Sequence, residues 1–161
     1  QDLSVDVFRE DSRGKQVKAL EGFSMSGYQS GQCCGAPGSV AGGPPPSAAW
    51  DGMKGWYTAN MSPATASLAL TLLSHLNVLD VDQTQPMRVI ETHCGDARAA
   101  AQVLPVANVG QYTACDFSEG MLSVAAERLG SKASTVKADS AELPFENASF
   151  DRYMSNLGAC C

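Results

Sequence analysis

The sequence predicts an α/β fold: a Rossmann-like arrangement in which a parallel sheet of about four strands is flanked by helices, preceded by an extended N-terminal arm. Three observations predict it. Strand-length apolar runs alternate with helix-length runs from Met87 to Asn156. A glycine or an acidic residue stands just after each of the first three strands, at Gly95, Asp116 and Asp139. Composition shifts near residue 47, from Gly/Pro/Ser-rich chain to chain with periodic apolar positions.

The first 47 residues are expected to be an arm or linker. Leu3, Val5 and Val7 alternate with polar residues, as in a short extended strand. From Gly22 to Pro46 the chain buries too little apolar surface to offset its ordering entropy alone. The domain is expected over residues 48–161 and opens with an aromatic segment, Trp50, Trp56 and Tyr57. Ser62 is then expected to cap a helix with Pro63 at its first position, running to about Leu76. Its Leu68, Ala69, Leu72, Leu73 and Leu76 are spaced to face a core.

The alternation follows. Met87–Thr92 is predicted as the first buried strand and Ala97–Leu104 as an alanine-rich helix ended by Pro105. Gln111–Cys115 is the second strand. Ser118 caps the next helix, Glu119 favours its positive end and Gly130 stops it. Met121, Leu122, Ala125 and Leu129 form that helix's apolar face. Ser134–Ala138 and Phe150–Asn156 complete the set of strands. Right-handed crossovers bring the carboxyl ends of parallel strands to one edge, where ligands bind.

Composition narrows the function. The net charge is −6 and charged residues make up 17% of the chain, below the roughly 25% of typical globular proteins. The one basic stretch, Arg9 to Lys18, is interleaved with acids, so no nucleic-acid partner is expected. The longest apolar run, Ala64–Leu76, is interrupted by Ser67, Thr71, Ser74 and His75 and is too short for a transmembrane segment. Six cysteines without a C-x-x-C pair and two histidines far from most of them argue against structural zinc and suit reduced thiols in an intracellular compartment. The chain begins with Gln1. Removal of an organellar transit peptide is one account of that start.

At the predicted sheet edge the residues suit an adenosine-type ligand. Gly95 lets the backbone approach closely, and the helix after it offers unpaired N–H groups. Asp116 closes the second strand about 20 residues later, where a carboxylate accepts from ribose hydroxyls. Phe117 offers a ring to an adenine face, and Asp139 an acceptor to an adenine amino group. A dinucleotide-binding oxidoreductase would carry G-x-G-x-x-G after the first strand; only Gly95 is present.

These motifs resemble a known family. Arg88–Asp96 is similar to the first motif of class I S-adenosylmethionine-dependent methyltransferases, and Thr113–Leu122 to their ribose-binding strand and following helix. Lys137–Phe145 and Ala148–Arg152 resemble their adenine loop and fourth strand, with most likeness to the ubiquinone and menaquinone biosynthesis branch. The resemblance implies S-adenosylmethionine as cofactor. It implies that Glu91 and Gly95 line the methionine end, that Asp116 holds the ribose, and that Asp139 and Ser140 meet the adenine.

Two departures shape the expected function. The family's first motif carries three glycines; here His93 and Ala97 replace the first and third. If positive φ is required at residue 93, histidine adopts it at a cost on the order of 1 kcal/mol, and its ring then lies near the cofactor's amino-acid end, within reach of the carboxylate. The family fold also continues through three more strands, so the chain is expected to hold its cofactor-binding half, with a protein partner covering the incomplete sheet unless the sequence is a fragment of a longer protein. Two functions are therefore expected. One is a methyltransferase acting on a small-molecule acceptor, with Trp50, Trp56 and Tyr57 closing over the site. The other is a catalytically inactive methyltransferase-like subunit of a larger, organellar membrane complex. No residue is assigned as a general base, and no metal is expected.

Overall fold

The computed structural model describes residues 8–10, 16–18, 46–80 and 84–158. The chain divides into two units, residues 1–30 and 31–161. In the first, β1 (Phe8–Glu10) and β2 (Gln16–Lys18) pair antiparallel, with Phe8 opposite Lys18. The alternation expected at Leu3, Val5 and Val7 lies outside the described residues, as do Cys33, Cys34, Cys160 and Cys161.

Among the described residues of the second unit the first element is a helix, where the sequence predicts only an aromatic segment. This is α1, Pro46–Asn60. Pro46 suits a first helical position, where its missing N–H costs nothing. Gly52, Gly55 and three bulky aromatics weaken the intrinsic helical signal over this stretch, and tertiary docking supplies what propensity does not. Asp51 Oδ1 accepts from Ser118 Oγ at 2.6 Å and from the Gly120 amide at 2.7 Å. A Cβ on Gly120 would come within 2.9 Å of the Asp51 Cα, so the absence of a side chain lets α1 approach this closely.

Helix α2 (Ser62–His75) follows after Met61 alone. Ser62 does not cap it. The N-cap is Met61 in helical conformation, and Ser62 is buried with its hydroxyl donating to Asp96 Oδ1 at 2.7 Å. The long-range carboxylate outcompetes the local amide. The buried face is Ser62, Ala66, Ala69 and Leu73, with Leu76 partly buried against the core. Leu68 and Leu72, expected in the core, are exposed at 51% and 37%. The small residues Ala66 and Ala69 allow close helix packing, and this rotates the two leucines outward. The helix ends in a Schellman motif. Asn77 is left-handed at φ 56°, its N–H bonds the Ser74 carbonyl, and the Val78 N–H bonds the Leu73 carbonyl. Leu73 and Val78 are both 1% exposed, the apolar contact that accompanies this cap.

The sheet strands are β3 (Met87–Thr92), β4 (Val109–Asp116), β5 (Ser134–Lys137) and β6 (Arg152–Ser155). They run parallel in the order β5-β4-β3-β6. The first strand matches its predicted bounds; β4 is longer than predicted, and β5 and β6 are shorter. Helix α3 (Arg98–Val103) starts one residue later than expected because Ala97 is left-handed. Helix α4 (Glu119–Leu129) has the predicted cap: Ser118 Oγ accepts from the Met121 amide, and Gly130 ends it at φ 56°. Its buried residues are the predicted four. A 3-10 turn (Gly130–Lys132) leads to β5.

Helices α2, α3 and α4 share one face of the sheet, where Leu73, Ala100, Val103, Leu122 and Ala125 pack on Val89, Tyr112, Ala114 and Met154. The chain steps outward from β3 to β4 to β5 and then returns past β4 and β3 to β6. Right-handedness places the returning connection on the opposite face. It holds Leu143, Phe145 and Phe150, the two phenylalanines edge-to-face at 5.0 Å. That face carries Ile90, Thr92, Thr113 and Cys115, with Thr92 Oγ1 2.8 Å from the Tyr153 hydroxyl. Arg88 ties β3 to β6 by two charged hydrogen bonds to Asp151, which hold the Asp151 carboxyl down at about 2. Among the described residues no helix is long and apolar enough to cross a membrane.

Candidate functional site

The parallel order places the carboxyl ends of β3, β4, β5 and β6 along one edge. The loop after β3 sets the site's shape. Its residues 93, 95 and 97 are all left-handed, with φ of 55°, 53° and 49°. These are the positions of three glycines in the motif this loop resembles, and only Gly95 is glycine. His93 and Ala97 therefore hold a conformation that costs an L-residue roughly 1–2 kcal/mol each. Backbone bonds fix it: the Cys94 amide donates to the Cys115 carbonyl at 3.0 Å, and the Ala97 amide to the Cys94 carbonyl at 2.9 Å.

Asp116, buried at the end of β4, joins the loops. Its Oδ2 accepts from the Gly95 amide at 2.9 Å and its Oδ1 from the Ser118 amide at 3.0 Å. A carboxylate offers about four lone-pair sites, so two remain for hydroxyl donors. Beyond it lies a cleft of about 230 Å³ lined by Thr92, His93, Cys115, Asp116, Phe117, Ala138, Asp139, Ser140 and Leu143. The structure thus brings together five of the seven sequence-predicted residues here: His93, Asp116, Phe117, Asp139 and Ser140. Asp139 is exposed, and its Oδ1 turns back to the Ala141 amide at 2.9 Å.

Glu91 faces a second, smaller cavity of about 20 Å³, hereafter the inner one because it lies on the Glu91 side of His93, also lined by Tyr57, Ser62 and Asp96. Its side chain is fully enclosed, and the Tyr112 hydroxyl donates to Oε2 at 2.7 Å. Burial pushes its carboxyl up to about 7; Asp116 and Asp96 add to the rise, and the Tyr112 bond opposes it. Gly95, the remaining predicted residue, lies under the Tyr57 ring: a Cβ built there would sit 3.6 Å from Cε1. Of the aromatic segment, Tyr57 covers the loop and stacks edge-on with Trp50 at 5.8 Å, whereas Trp56 is 57% exposed.

His93 joins both sides of the crevice. Its Nδ1 is 3.0 Å from Ser155 Oγ and its Nε2 is 2.9 Å from Ser140 Oγ. Burial lowers its pKa, against a smaller upward pull from Asp116 and Asp139. A neutral imidazole donates at one nitrogen and accepts at the other, and the two hydroxyls complement either tautomer. Gly158 packs directly on the ring, leaving no room for a Cβ at that residue.

Sequence reasoning missed the polar network behind the loop. Buried Asp96 accepts from Ser62 and pairs with Arg128 Nη1 at 2.6 Å, while Arg98 bridges Ser62 Oγ and the Thr58 carbonyl. This network ties α1, α2 and α4 to the first loop. Its partners lie 30 or more residues apart in the chain, and no local spacing signals them.

Four parallel strands in this order, helices packed on one face and a glycine–carboxylate pair at the carboxyl edge define a Rossmann-like fold. Comparison with known proteins agrees: residues 89–160 match the methyltransferase domain family. Among curated proteins none matches the chain significantly. Two solved structures share the fold. One is a methanogen protein from Methanococcus maripaludis, described as S-adenosyl-L-methionine-dependent methyltransferase, at TM-score 0.54 and 15% identity over 70% of this chain and 51% of that one. The other is a Haloferax volcanii complex of the Trm112 methyltransferase activator with a methyltransferase-class protein, at TM-score 0.54 and 19% identity over 66% of this chain and 46% of that one. The chain spans about half the length of these relatives.

Proposed function

We infer that residues 48–161 form an S-adenosylmethionine-dependent methyltransferase-like domain that binds the cofactor's adenosyl group in the outer cleft, with residues 1–47 as an arm. One observation carries this reading: the Gly95 amide and the Asp116 carboxylate are bonded to each other at the mouth of a parallel sheet, with Asp139 and Ser140 across the same cleft. Asp116 would hold the ribose, Phe117 and Leu143 would flank the adenine, and Asp139 and Ser140 would meet its edge. When bound, S-adenosylmethionine supplies an electrophilic methyl group. The residues here contribute alignment and exclusion of water. The adenosyl end fits the cleft; the methionine end meets a filled space, since His93 stands between the cleft and Glu91.

A second reading, a non-catalytic subunit whose sheet is covered by a protein partner, is favoured by that filled space. The activator-bound neighbour is compatible with it. Placement in the ubiquinone and menaquinone branch rests on Lys137–Phe145 and Ala148–Arg152 alone.

The test is thermal unfolding of the chain with S-adenosylmethionine and with S-adenosylhomocysteine. At a ligand concentration 100 times Kd, binding adds about 2.7 kcal/mol, which raises the Tm of a domain of this size by roughly 5–15 °C. A folded chain whose Tm neither ligand moves would leave the scaffold reading standing.

A further inference from the structure

We propose that His93 partitions the crevice, so that its outer cleft is a site for an adenine nucleoside lacking the amino-acid tail, of the 5′-alkylthioadenosine class. The proposal rests on the adenosyl reading above and concerns which part of such a ligand the site admits.

Among the described residues, His93 alone lines both cavities. The inner one, about 20 Å³, has room for roughly one water. That space is smaller than an ammonium, a carboxylate and the carbons that join them. The outer one, about 230 Å³, is more than ten times larger and holds the carboxylate suited to a ribose.

The wall between the two cavities is held on three sides. Ser155 ends β6 and Ser140 follows β5, the two outer strands of the sheet. The imidazole bonds both hydroxyls and so reaches from one flank of the crevice to the other, across the ends of β3 and β4. Gly158 packs against the ring from a third direction. The left-handed backbone at residue 93 fixes where the side chain leaves the loop.

A nucleoside with a short 5′ substituent leaves both imidazole bonds intact. A ligand with the full tail must break both, and two such bonds are worth about tenfold or more in affinity.

Calorimetric titration of the full chain with 5′-methylthioadenosine, S-adenosylhomocysteine and S-adenosylmethionine tests this, using wild type, His93→Gly, and a Ser140→Ala/Ser155→Ala variant. Glycine suits φ 55°, so His93→Gly keeps the loop. Wild type should bind 5′-methylthioadenosine at least as tightly as the tailed ligands. Both variants should shift the preference toward the tailed ligands by about tenfold or more. A wild-type preference of about tenfold for the tailed ligands, or one that the variants leave unchanged, overturns the partition and spares the adenosyl reading. A folded His93→Gly chain that binds none of the three overturns both.

Discussion

Glu91→Gln isolates a buried carboxyl of the crevice whose protonation is strongly shifted. Glu91 is enclosed, with its carboxyl raised from 4.5 to about 7 chiefly by burial. Between those values the folded chain binds a proton that the unfolded chain has released. Folding stability therefore falls as pH rises through this window. The difference of about 2.5 units corresponds to about 3 kcal/mol at 1.36 kcal/mol per unit, fully expressed above pH 7 and absent below about pH 4.5. Glutamine keeps an acceptor for the Tyr112 hydroxyl, matches the volume and carries no charge.

Urea unfolding at pH 5, 6, 7 and 8 reads the difference. The two proteins should be within about 1 kcal/mol of each other at pH 5. The variant should gain steadily on wild type up to pH 7 and lead by about 3 kcal/mol at pH 8, with unchanged m-values. A constant gap across the range would refute the argument, because it would mean that Glu91 titrates alike in the folded and unfolded chains.

Other perturbations probe the scaffold and the coupling. Gly120→Ala places a Cβ 2.9 Å from the Asp51 Cα, and α1 should undock, with a loss of about 1–3 kcal/mol in urea unfolding and faster amide exchange over α1. Asp96→Asn removes the charge facing Arg128 while leaving that guanidinium mostly enclosed; the cost should be about 3 kcal/mol, also by urea unfolding. Ala148→Gly relieves a left-handed alanine at an exposed position and should stabilise by up to about 1 kcal/mol, read as a raised Tm. In His93→Gly, where the tail has access to Glu91, S-adenosylmethionine affinity should fall by about tenfold per pH unit below pH 7 and level off above it, because the ligand's ammonium pairs with the ionised carboxylate.

The sheet and α4 were legible because local signals and tertiary structure agree there. Val89 and Ile90 lie in a buried parallel strand, and Ser118, Glu119 and Gly130 bound a helix by chemistry confined to a few residues. The crevice was legible for a topological reason: once the strands are parallel, residues that follow them share an edge. What escaped sequence reading depends on distant partners. Helix α1 is seated by Asp51 on an amide of α4, 69 residues away. Ser62 has the identity of a cap but is claimed by Asp96, 34 residues on. Leu68 and Leu72 have helical core spacing, yet the alanines beside them decide which face is buried. The bridging role of His93 depends on Ser140 and Ser155, which carry no motif of their own.

The first loop bears on the choice between ligand site and inert scaffold. Two non-glycine residues, His93 and Ala97, are held left-handed at a combined cost of roughly 2–4 kcal/mol. For a domain whose whole stability is about 5–15 kcal/mol, that is a large fraction. A loop needed only as a connection could relax to ordinary φ at either residue. This one is kept in shape by the amide bonds from Cys94 to Cys115 and from Gly95 to Asp116. Strain that the surroundings over-determine is characteristic of ligand sites. The loop therefore keeps the left-handed backbone of the glycine motif it resembles at two positions that are not glycine. Restoring both, as His93→Gly with Ala97→Gly, separates the accounts. A cradle still in use should gain affinity for the tailed cofactor by about tenfold or more. A scaffold should change in stability alone, with no ligand-dependent shift in Tm in either protein.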